Sequence, residues 1–284
     1  MTSVYLAVVG PTAAGKTDLG LRLAQEQNGE IISVDSRQVY KYLSVGTAKP
    51  SDTGKISYHL IDFLEPDHSY SAADFIRDAT LLINDIESRG KKPIFVGGTG
   101  LYFKALTEGL ASFPPANPAV RVRLQKEAAE KGRTALHGKL ALIDPVAAQK
   151  IPANNIQRLI RALEVYEVSG KPISQWHQEH QKSGVTLQFM GVDPGREELQ
   201  RRIEARCRQM INNGMIEETR ELLAKGFSES CPALSGLGYP RVVSYLKGLS
   251  SKDECLKLLI QDTRQYAKRQ RTWFRNQCEV EWKK

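Results

Sequence analysis

The stretch VYLAVVGPTAAGKTDLG, residues 4–20, joins an apolar run to a glycine-rich loop and then to the start of a helical pattern. Within it, Gly10, Gly15, Lys16 and Thr17 have the spacing G-x-x-x-x-G-K-[S/T], which binds phosphate when it lies between a strand and a helix. Glycines let backbone N–H groups converge on phosphate oxygens, and the helix N-terminus adds positive potential. The stretch therefore predicts a phosphate-binding loop (P-loop), in which Lys16 neutralises charge and the Thr17 hydroxyl binds Mg²⁺. This P-loop comprises Gly10, Pro11, Thr12, Ala13, Ala14, Gly15, Lys16 and Thr17.

Strand and helix patterns alternate around the P-loop. The predicted strands are residues 4–9, 30–35, 93–100 (ending in the turn GGTG), 186–193 and 280–282. Helices are predicted at 18–27 and at 71–90, where Ser71 and Asp74 form a capping box, and again from 194 to about 277. This alternation predicts an α/β fold with a P-loop-containing parallel sheet flanked by helices, whose ligand crevice lies at the carboxyl ends of the strands.

The composition changes at SFPPANPAV, residues 112–120, where three prolines mark a boundary. From residue 117 to about 181 the patterns are helical only, in NPAVRVRLQKEAAEKG, TALHGKLALID and NNIQRLIRALEVYEVSG. We therefore predict an all-helical insertion domain at 114–185. Residues 1–113 and 186–284 then form the P-loop α/β catalytic domain.

The composition is that of a globular protein, since 41% of the 284 residues are hydrophobic and 25% are charged. No apolar run approaches the ~18 residues of a membrane span, and the first residues lack a basic region and a cleavage site. The four cysteines are far apart, which argues against a disulfide framework or a zinc site. We expect a cytoplasmic protein without a membrane partner. The net charge of +8 favours a polyanionic partner.

Two polar residues follow predicted strands and should lie at the same sheet edge as the P-loop. Asp35 ends the second strand, so it is either a general base or metal ligand, or a turn or helix N-cap residue. Thr99, in the turn GGTG, either hydrogen-bonds substrate or stabilises the turn.

Basic residues recur at helical spacing in the second half of the chain. Arg206 lies four residues after Arg202, and it either reaches bound phosphates or belongs to an exposed helix face. Arg264, Lys268, Arg271 and Arg275 are spaced 4, 3 and 4 apart, which suits either a nucleic-acid backbone or a solvated face. His177 and His180 have no further ligands nearby and are interpreted as ordinary polar residues.

Several segments in one order resemble the tRNA dimethylallyltransferases, also called tRNA isopentenyltransferases. They are GPTAAGKT, IISVDSRQVY, VGTAKP, YSAADF, VGGTGLYFKAL, QRLIRALEVYEVSGKP and TRQYAKRQRTWFR. The resemblance implies transfer of the dimethylallyl group from dimethylallyl diphosphate to N6 of adenosine 37, the nucleotide 3′ of the tRNA anticodon, with release of diphosphate. The P-loop would then hold a leaving group, and the target adenosine would be flipped into a channel.

The resemblance also implies residue roles. Asp35 would accept the amine proton, Thr99 would support the substrate, and Arg206 would stabilise the departing diphosphate together with Lys16, Thr17 and Mg²⁺. The residues that would bind the anticodon stem-loop of tRNA are Asp35, Ser36, Arg37, Gln38, Gln157, Arg158, Leu159, Ile160 and Arg161, with Lys268 and Arg271 added from the basic helix. The chain departs from the family at Asn155-Ile156, where Asp-Pro is frequent, and at Pro240, where a basic residue is common. We expect the protein to act as a monomer.

Two other functions fit the P-loop itself. A P-loop kinase would use Asp35 as the base, ATP as the donor and the helical insertion as a lid. A non-catalytic nucleotide switch that binds RNA is less well supported, because the sequence has no N-K-x-D motif and Asp35 would have no clear task. The basic helix near the end of the chain favours an RNA-modifying enzyme over a small-metabolite kinase.

Overall fold

The structure is a computed structural model that describes residues 3–180 and 184–283. The strands are β1 (Val4–Val9), β2 (Gly29–Val34), β3 (Tyr58–His59), β4 (Lys92–Gly97), β5 (Thr186–Val192) and β6 (Val280–Lys283). The helices are α1 (Lys16–Glu26), α2 (Ala72–Ser88), α3 (Gly100–Glu108), α4 (Pro118–Lys131), α5 (Arg133–Ile143), α6 (Pro145–Lys150), α7 (Ile156–Ser169), α8 (Ile173–Glu179), α9 (Arg196–Asn212), α10 (Met215–Ala224), α11 (Tyr239–Leu246) and α12 (Lys252–Gln277). None of the helices described is both long and apolar enough to cross a membrane.

The chain divides into two compact units, one of Met1–Glu108 with Gly184–Lys284 and one of Gly109–Ser183. The predicted insertion domain, 114–185, begins and ends a few residues later than the second unit. The predicted domain ranges, and the helical patterns that run to about 181, include a few residues outside the described ones. These are residues 1–2, 181–183 and 284.

The first unit is built on one parallel sheet. Its strand order is β3-β2-β4-β1-β5-β6, and each neighbouring pair is parallel. The order places β1, which leads into the P-loop, between β4 and β5. The predicted α/β fold with a P-loop-containing parallel sheet is confirmed.

Alternate residues of the central strands pack on opposite faces of the sheet. Val8, Ile31 and Ile94 lie in one core cluster, against α1. Their neighbours Val9, Ile32 and Phe95 lie in another cluster, which also contains residues of α2 and α3 and Phe274 of α12. The sheet is therefore covered by helices on both faces, which explains why its strands read as continuous apolar runs.

Two elements of the first unit were not predicted. β3 has only two residues, so it carries no periodic pattern, and it pairs with the outer side of β2. Helix α3 begins at Gly100, the last residue of GGTG, so the glycine-rich stretch obscures its start. The predicted capping box of α2 is present, since Ser71 Oγ accepts from Asp74 N at 3.2 Å and Ser71 N donates to Asp74 Oδ2 at 3.0 Å.

The second unit contains only helices, α4 to α8, among its described residues. Its core includes Leu124 of α4, Leu136 and Leu140 of α5 and Leu163 of α7. Glu164 is fully buried there, and its carboxylate is satisfied by Arg121 Nε at 2.9 Å. Asn155 caps α7, because its side-chain oxygen accepts from Arg158 N at 3.4 Å. The departure at this position therefore leaves the helix capped.

A buried ion cluster fastens the amino end of β2. The Glu30 side chain is 1% exposed, and its carboxylate contacts Arg89 Nη2 at 2.9 Å, Lys91 Nζ at 2.8 Å and His59 Nε2 at 2.7 Å. The Arg89 hydrogen bonds are the largest reason why the pKa of Glu30 lies well below its usual value.

Replacing Glu30 by Gln should lower the free energy of unfolding at pH 7 by roughly 3 kcal/mol, because Arg89 and Lys91 lose their shared anion and His59 loses its hydrogen-bond partner. Since the folded-state pKa is depressed, the carboxylate stabilises the fold fully above the ordinary glutamate pKa of about 4.3, and this contribution is lost as the pH falls below it. Urea denaturation at pH 7 and pH 3.5 measures the free energy of unfolding. The difference between the Gln variant and wild type should be smaller at pH 3.5. Glu26→Gln, on the exposed face of α1, is the control, and an equal effect of both variants would contradict the assignment.

Candidate active site

Three strand ends bring the predicted catalytic residues to one edge of the sheet. In the strand register, Val9 of β1 and Val34 of β2 both lie beside Gly97 of β4. The chain continues from these positions into the P-loop, Asp35 and the turn that contains Thr99. The parallel sheet therefore gathers these residues, as the sequence analysis expects.

The P-loop wraps around the ammonium group of Lys16. Gly15 has φ +99° and Ala13 φ +65°, so the backbone turns with left-handed conformations at both residues. Lys16 Nζ donates to the carbonyl of Pro11 at 2.9 Å. Burial, and secondarily the nearby Arg206 guanidinium, lowers the pKa of Lys16 to about 8. The loop thus presents a cation that an incoming anion would stabilise.

Helix α9 places two arginines over the P-loop. Arg206 Nη1 donates to Thr12 Oγ1 at 3.2 Å, and Arg202 Nη1 donates to the carbonyl of Ala14 at 3.2 Å. Burial lowers the pKa of Arg206, while the Asp35 carboxylate opposes this effect. Of the two interpretations of Arg206, the structure supports the one in which it faces the P-loop.

Asp35 forms a turn with one oxygen of its carboxylate. Oδ1 accepts from Arg37 N at 2.8 Å and from Gln38 N at 3.3 Å. Oδ2 accepts no hydrogen bond from the residues that the structure describes, and the carboxylate partly opposes the lowering of the pKa of Lys16 and of Arg206. Asp35 can therefore stabilise the turn through Oδ1 and still act on a substrate through Oδ2.

Thr99 and Gln270 tie the loops of the site together. Thr99 Oγ1 accepts from Ser36 N at 3.1 Å, which joins the GGTG turn to the segment after β2. Gln270 is buried, and its amide accepts from Thr12 N at 2.8 Å and donates to the carbonyl of Gly98 at 3.0 Å. A Cβ atom at Gly98 would lie 2.2 Å from Gln270 Nε2, so glycine is needed for this contact.

Sequence reasoning missed the role of Gln270. A signal was present, because Thr263, Ala267, Gln270 and Phe274 form a buried stripe at spacings of 4, 3 and 4 along α12. A glutamine in such a stripe requires hydrogen-bond partners, since a buried amide without them is costly.

Two adjoining cavities open beside these residues. One, of about 450 Å³, lies against the P-loop and is lined by residues that include Lys16, Thr17 and Tyr58. The other, of about 320 Å³, is lined by residues that include Ser36, Met210 and Arg269. Both cavities are lined by Thr12, Asp35, Thr47, Arg206 and Tyr266. The candidate site therefore has two compartments that meet at Asp35 and Arg206.

The chain matches two family models. The model described as IPP transferase matches residues 38–277, and the model described as isopentenyl transferase matches residues 2–57. The chain belongs to the IPP transferase family.

Family relatives cover almost the whole chain. A protein named tRNA dimethylallyltransferase from Carboxydothermus hydrogenoformans is 47% identical over 288 residues, which cover 99% of this chain and 92% of the relative. One of the same name from Geobacter sulfurreducens is 42% identical over 279 residues, covering 97% of this chain and 90% of the relative. The P-loop kinase and the nucleotide switch are therefore set aside.

Solved structures of the family share the fold. The tRNA isopentenylpyrophosphate transferase of Bacillus halodurans has a TM-score of 0.72 at 39% identity, with 99% of this chain and 89% of the other covered. A eukaryotic dimethylallyltransferase described as acting on tRNA has a TM-score of 0.81 at 27% identity, with 99% and 74% covered.

Within this IPP transferase, the segment after β2 is held firmly by its own contacts. Arg37 Nη1 donates to the carbonyl of Pro232 at 2.8 Å and to Ser235 Oγ at 3.0 Å. Gln38 is buried, and its amide group donates to the carbonyls of Thr47 and Ala48 at 3.3 and 3.2 Å. Asp35, Ser36 and Arg37 line the smaller cavity, and Asp35 and Gln38 line the cavity against the P-loop. The Gln38 side chain supports the neighbouring loop and also lines the cavity against the P-loop, and its contact with tRNA stays a prediction.

The segment 157–161 on α7 divides in the same way. Gln157 and Arg158 are exposed. Leu159 and Ile160 lie in the core of the helical unit, 0% and 6% exposed, so their side chains cannot reach an RNA. Arg161 donates to Glu164 Oε2 at 2.6 Å and to the carbonyl of Pro114 at 2.9 Å. The expectation of direct contact is corrected for Leu159 and Ile160 because the helix turns those positions inward.

The basic face of α12 is largely paired within the IPP transferase itself. Arg271 Nε lies 2.7 Å from Asp193 Oδ2 and Arg275 Nη2 lies 3.1 Å from the same oxygen, while Arg264 pairs with Glu204 at 3.3 Å. Lys268 is exposed and has no ion-pair partner among residues 3–180 and 184–283. Lys268 is therefore the residue of the basic stripe that could meet a phosphate without breaking an ion pair, and the contact of Arg271 with tRNA stays a prediction.

Proposed function

We propose that this IPP transferase moves the dimethylallyl group of dimethylallyl diphosphate to N6 of adenosine 37 in tRNA, releasing diphosphate. The observation that carries the proposal is the convergence of Lys16, Arg206 and Asp35 on two joined cavities. Lys16 and Arg206 face the place where a P-loop binds phosphates, and the Asp35 carboxylate lies where the two compartments meet. Relatives that cover nearly the whole chain are named tRNA dimethylallyltransferase.

The reaction breaks one bond and forms another. The allylic C–O bond of the donor breaks and its electron pair leaves with the diphosphate, where Lys16, Arg206 and the P-loop N–H groups stabilise the developing charge. The C–N bond forms from the N6 lone pair of adenosine, and Asp35 Oδ2 accepts the N6 proton. Thr99 holds the backbone at Ser36, directly beside Asp35, and so keeps this carboxylate aligned with the cavity.

The residues at the P-loop fit Mg²⁺, which proteins bind through one or two side chains together with phosphate oxygens and water. Thr17 lines the larger compartment of the site, which Asp35 also lines. Among the described residues no group of three or more His, Cys, Asp or Glu side chains could hold a metal ion by itself, which agrees with a metal that arrives with the diphosphate. Bound there, Mg²⁺ would add positive charge beside the leaving group.

For the RNA, the smaller compartment suits an adenine that has been flipped out of the anticodon loop, because unstacking exposes N6 to the cavity. Ser36 and Arg37 line this compartment. Gln157 and Arg158 are the exposed side chains of the predicted stem-binding segment, and we assign them to the anticodon stem. A cytoplasmic location and a monomeric state stay predictions from the sequence.

The proposal is tested with donor labelled in the dimethylallyl group and two stem-loop RNAs that carry adenosine or guanosine at position 37. Transfer of the label to the adenosine RNA alone is expected. Equal labelling of both RNAs, or labelling of neither, would contradict the proposed acceptor.

Replacing Lys268 by Ala should weaken tRNA binding similarly for all sequences and reduce the slope of log affinity against log salt by about 1, as loss of one phosphate contact does. Filter binding at several salt concentrations measures this slope. Arg264→Ala is the matched control, because that arginine is already paired with Glu204. An unchanged slope for the lysine variant would show that Lys268 belongs to a solvated helix face and makes no phosphate contact.

A further inference from the structure

The loop of residues 44–48, which we call the wall loop, separates the two compartments of the site. Thr47 lines both cavities, Ala48 lines the one against the P-loop, and Gly46 lines the other. Ala48 has φ +47°, a left-handed conformation that is unfavourable for alanine. The loop therefore depends on outside contacts to keep its shape.

One carboxylate supplies most of these contacts. Glu218, on helix α10, accepts from Ser44 N and Val45 N through Oε2, both at 2.9 Å, and from Gly46 N through Oε1 at 2.7 Å. Hydrogen bonds from N–H groups to a carboxylate are shorter and stronger than those to a neutral acceptor. Three successive N–H groups of the wall loop thus converge on a side chain outside the site.

Tyr239, at the start of helix α11, completes this arrangement. Its hydroxyl donates to Glu218 Oε1 at 2.9 Å, and its side chain is 1% exposed. A Cβ atom at Gly46 would lie 2.5 Å from this hydroxyl, so the loop packs directly on it. In the part of the chain that the structure describes, no lysine or arginine pairs with Glu218, and its charge is stabilised by these four neutral donors.

We infer that Glu218 is a positioning residue for the proposed transfer, and that it acts with Tyr239 by fixing the wall loop between the donor compartment and the base compartment. Glu218 itself lines neither cavity, so its effect passes through the loop backbone. The inference rests on the proposed function. With Glu218 and Tyr239, the residues that determine the reaction geometry also come from helices α10 and α11.

The test is Glu218→Gln, with Glu217→Gln as the matched control on the same helix, where the side chain is exposed and pairs loosely with Arg220 at 3.7 Å. A carboxamide has one acceptor oxygen, so its NH₂ group must face donors that the carboxylate satisfied. Displacing the loop by about 1 Å should lower the single-turnover rate of dimethylallyl transfer roughly 10²-fold. The Glu217 variant should keep the wild-type rate.

Two further readouts separate positioning from a general loss of folding. The affinity for inorganic pyrophosphate should be unchanged in Glu218→Gln, because the P-loop does not contact Glu218. Tyr239→Phe should lower the rate less, and the double variant should be no slower than Glu218→Gln alone, since both act through one arrangement.

The outcomes distinguish the inference from the proposed function. Absence of dimethylallyl adenosine with the wild-type protein would contradict the proposed function. An active wild type with an equally active Glu218→Gln would overturn the inference, as would a rate and a pyrophosphate affinity that fall together with the folded fraction.

Discussion

Replacing Asp35 by Asn should reduce the single-turnover rate of prenyl transfer by about 10²–10⁴-fold, the usual contribution of a general base. Asparagine keeps the side-chain oxygen that accepts from Arg37 N and Gln38 N, so the turn should survive. What the variant loses is the proton acceptor at Oδ2. Rapid quenching with the enzyme in excess over the RNA, and with enzyme and donor at saturating concentrations, isolates this step from binding and product release.

The comparison with Asp35→Ala separates the two roles of this residue. If Asp35 only stabilised the turn, the asparagine variant would be active and the alanine variant would be impaired. If Asp35 is the base, both should be slow, and the alanine variant should also be less stable because it loses the turn. A fast asparagine variant would remove Asp35 from the mechanism.

Replacing Lys16 by Met should lower kcat/KM for the donor by about 10²–10³-fold, because a cation that faces the leaving diphosphate is removed while the alkyl chain is kept. Titration with inorganic pyrophosphate should show weakened binding in the same variant. The exposed Lys92, changed to Met, is the control and should leave both values unchanged. Wild-type affinity for pyrophosphate in the Lys16 variant would contradict the proposed binding of the donor diphosphate by Lys16.

The same lysine predicts a pH dependence. Because burial lowers the pKa of Lys16 to about 8, the free enzyme loses this charge above pH 8, and donor binding then requires uptake of a proton. Donor KM should therefore rise with pH above 8 in the wild type. In the Lys16→Met variant this rise should be absent.

The sequence was sufficient for the parts of the site that are local in the chain. The P-loop spacing, the position of Asp35 after a buried strand and the turn with Thr99 are each encoded within a few residues. The rule that carboxyl ends of parallel strands share an edge then brought them together. Arg206 could be proposed from its residue type and family position, and the structure settles its direction by the contact with Thr12.

The remaining features depend on partners far away in the sequence. Gln270 connects to residues 258 and 172 positions earlier, and Arg271 is paired with Asp193 at the end of β5. Helical spacing alone cannot reveal such a pair, so the sequence could not show that most of the basic stripe is paired within the protein. The segment that the family resemblance indicates is contiguous in the sequence, whereas a helix turns only some of its positions outward, so Leu159 and Ile160 are buried.

In the proposed reaction, the P-loop holds a prenyl diphosphate. The most direct measurement incubates the protein with Mg²⁺, unmodified tRNA with adenosine at position 37, and either dimethylallyl diphosphate or ATP, followed by digestion and mass spectrometry of the nucleosides. We predict N6-dimethylallyl adenosine with the prenyl donor only. No modified nucleoside with that donor, together with consumption of ATP when small metabolites are added, would contradict the account.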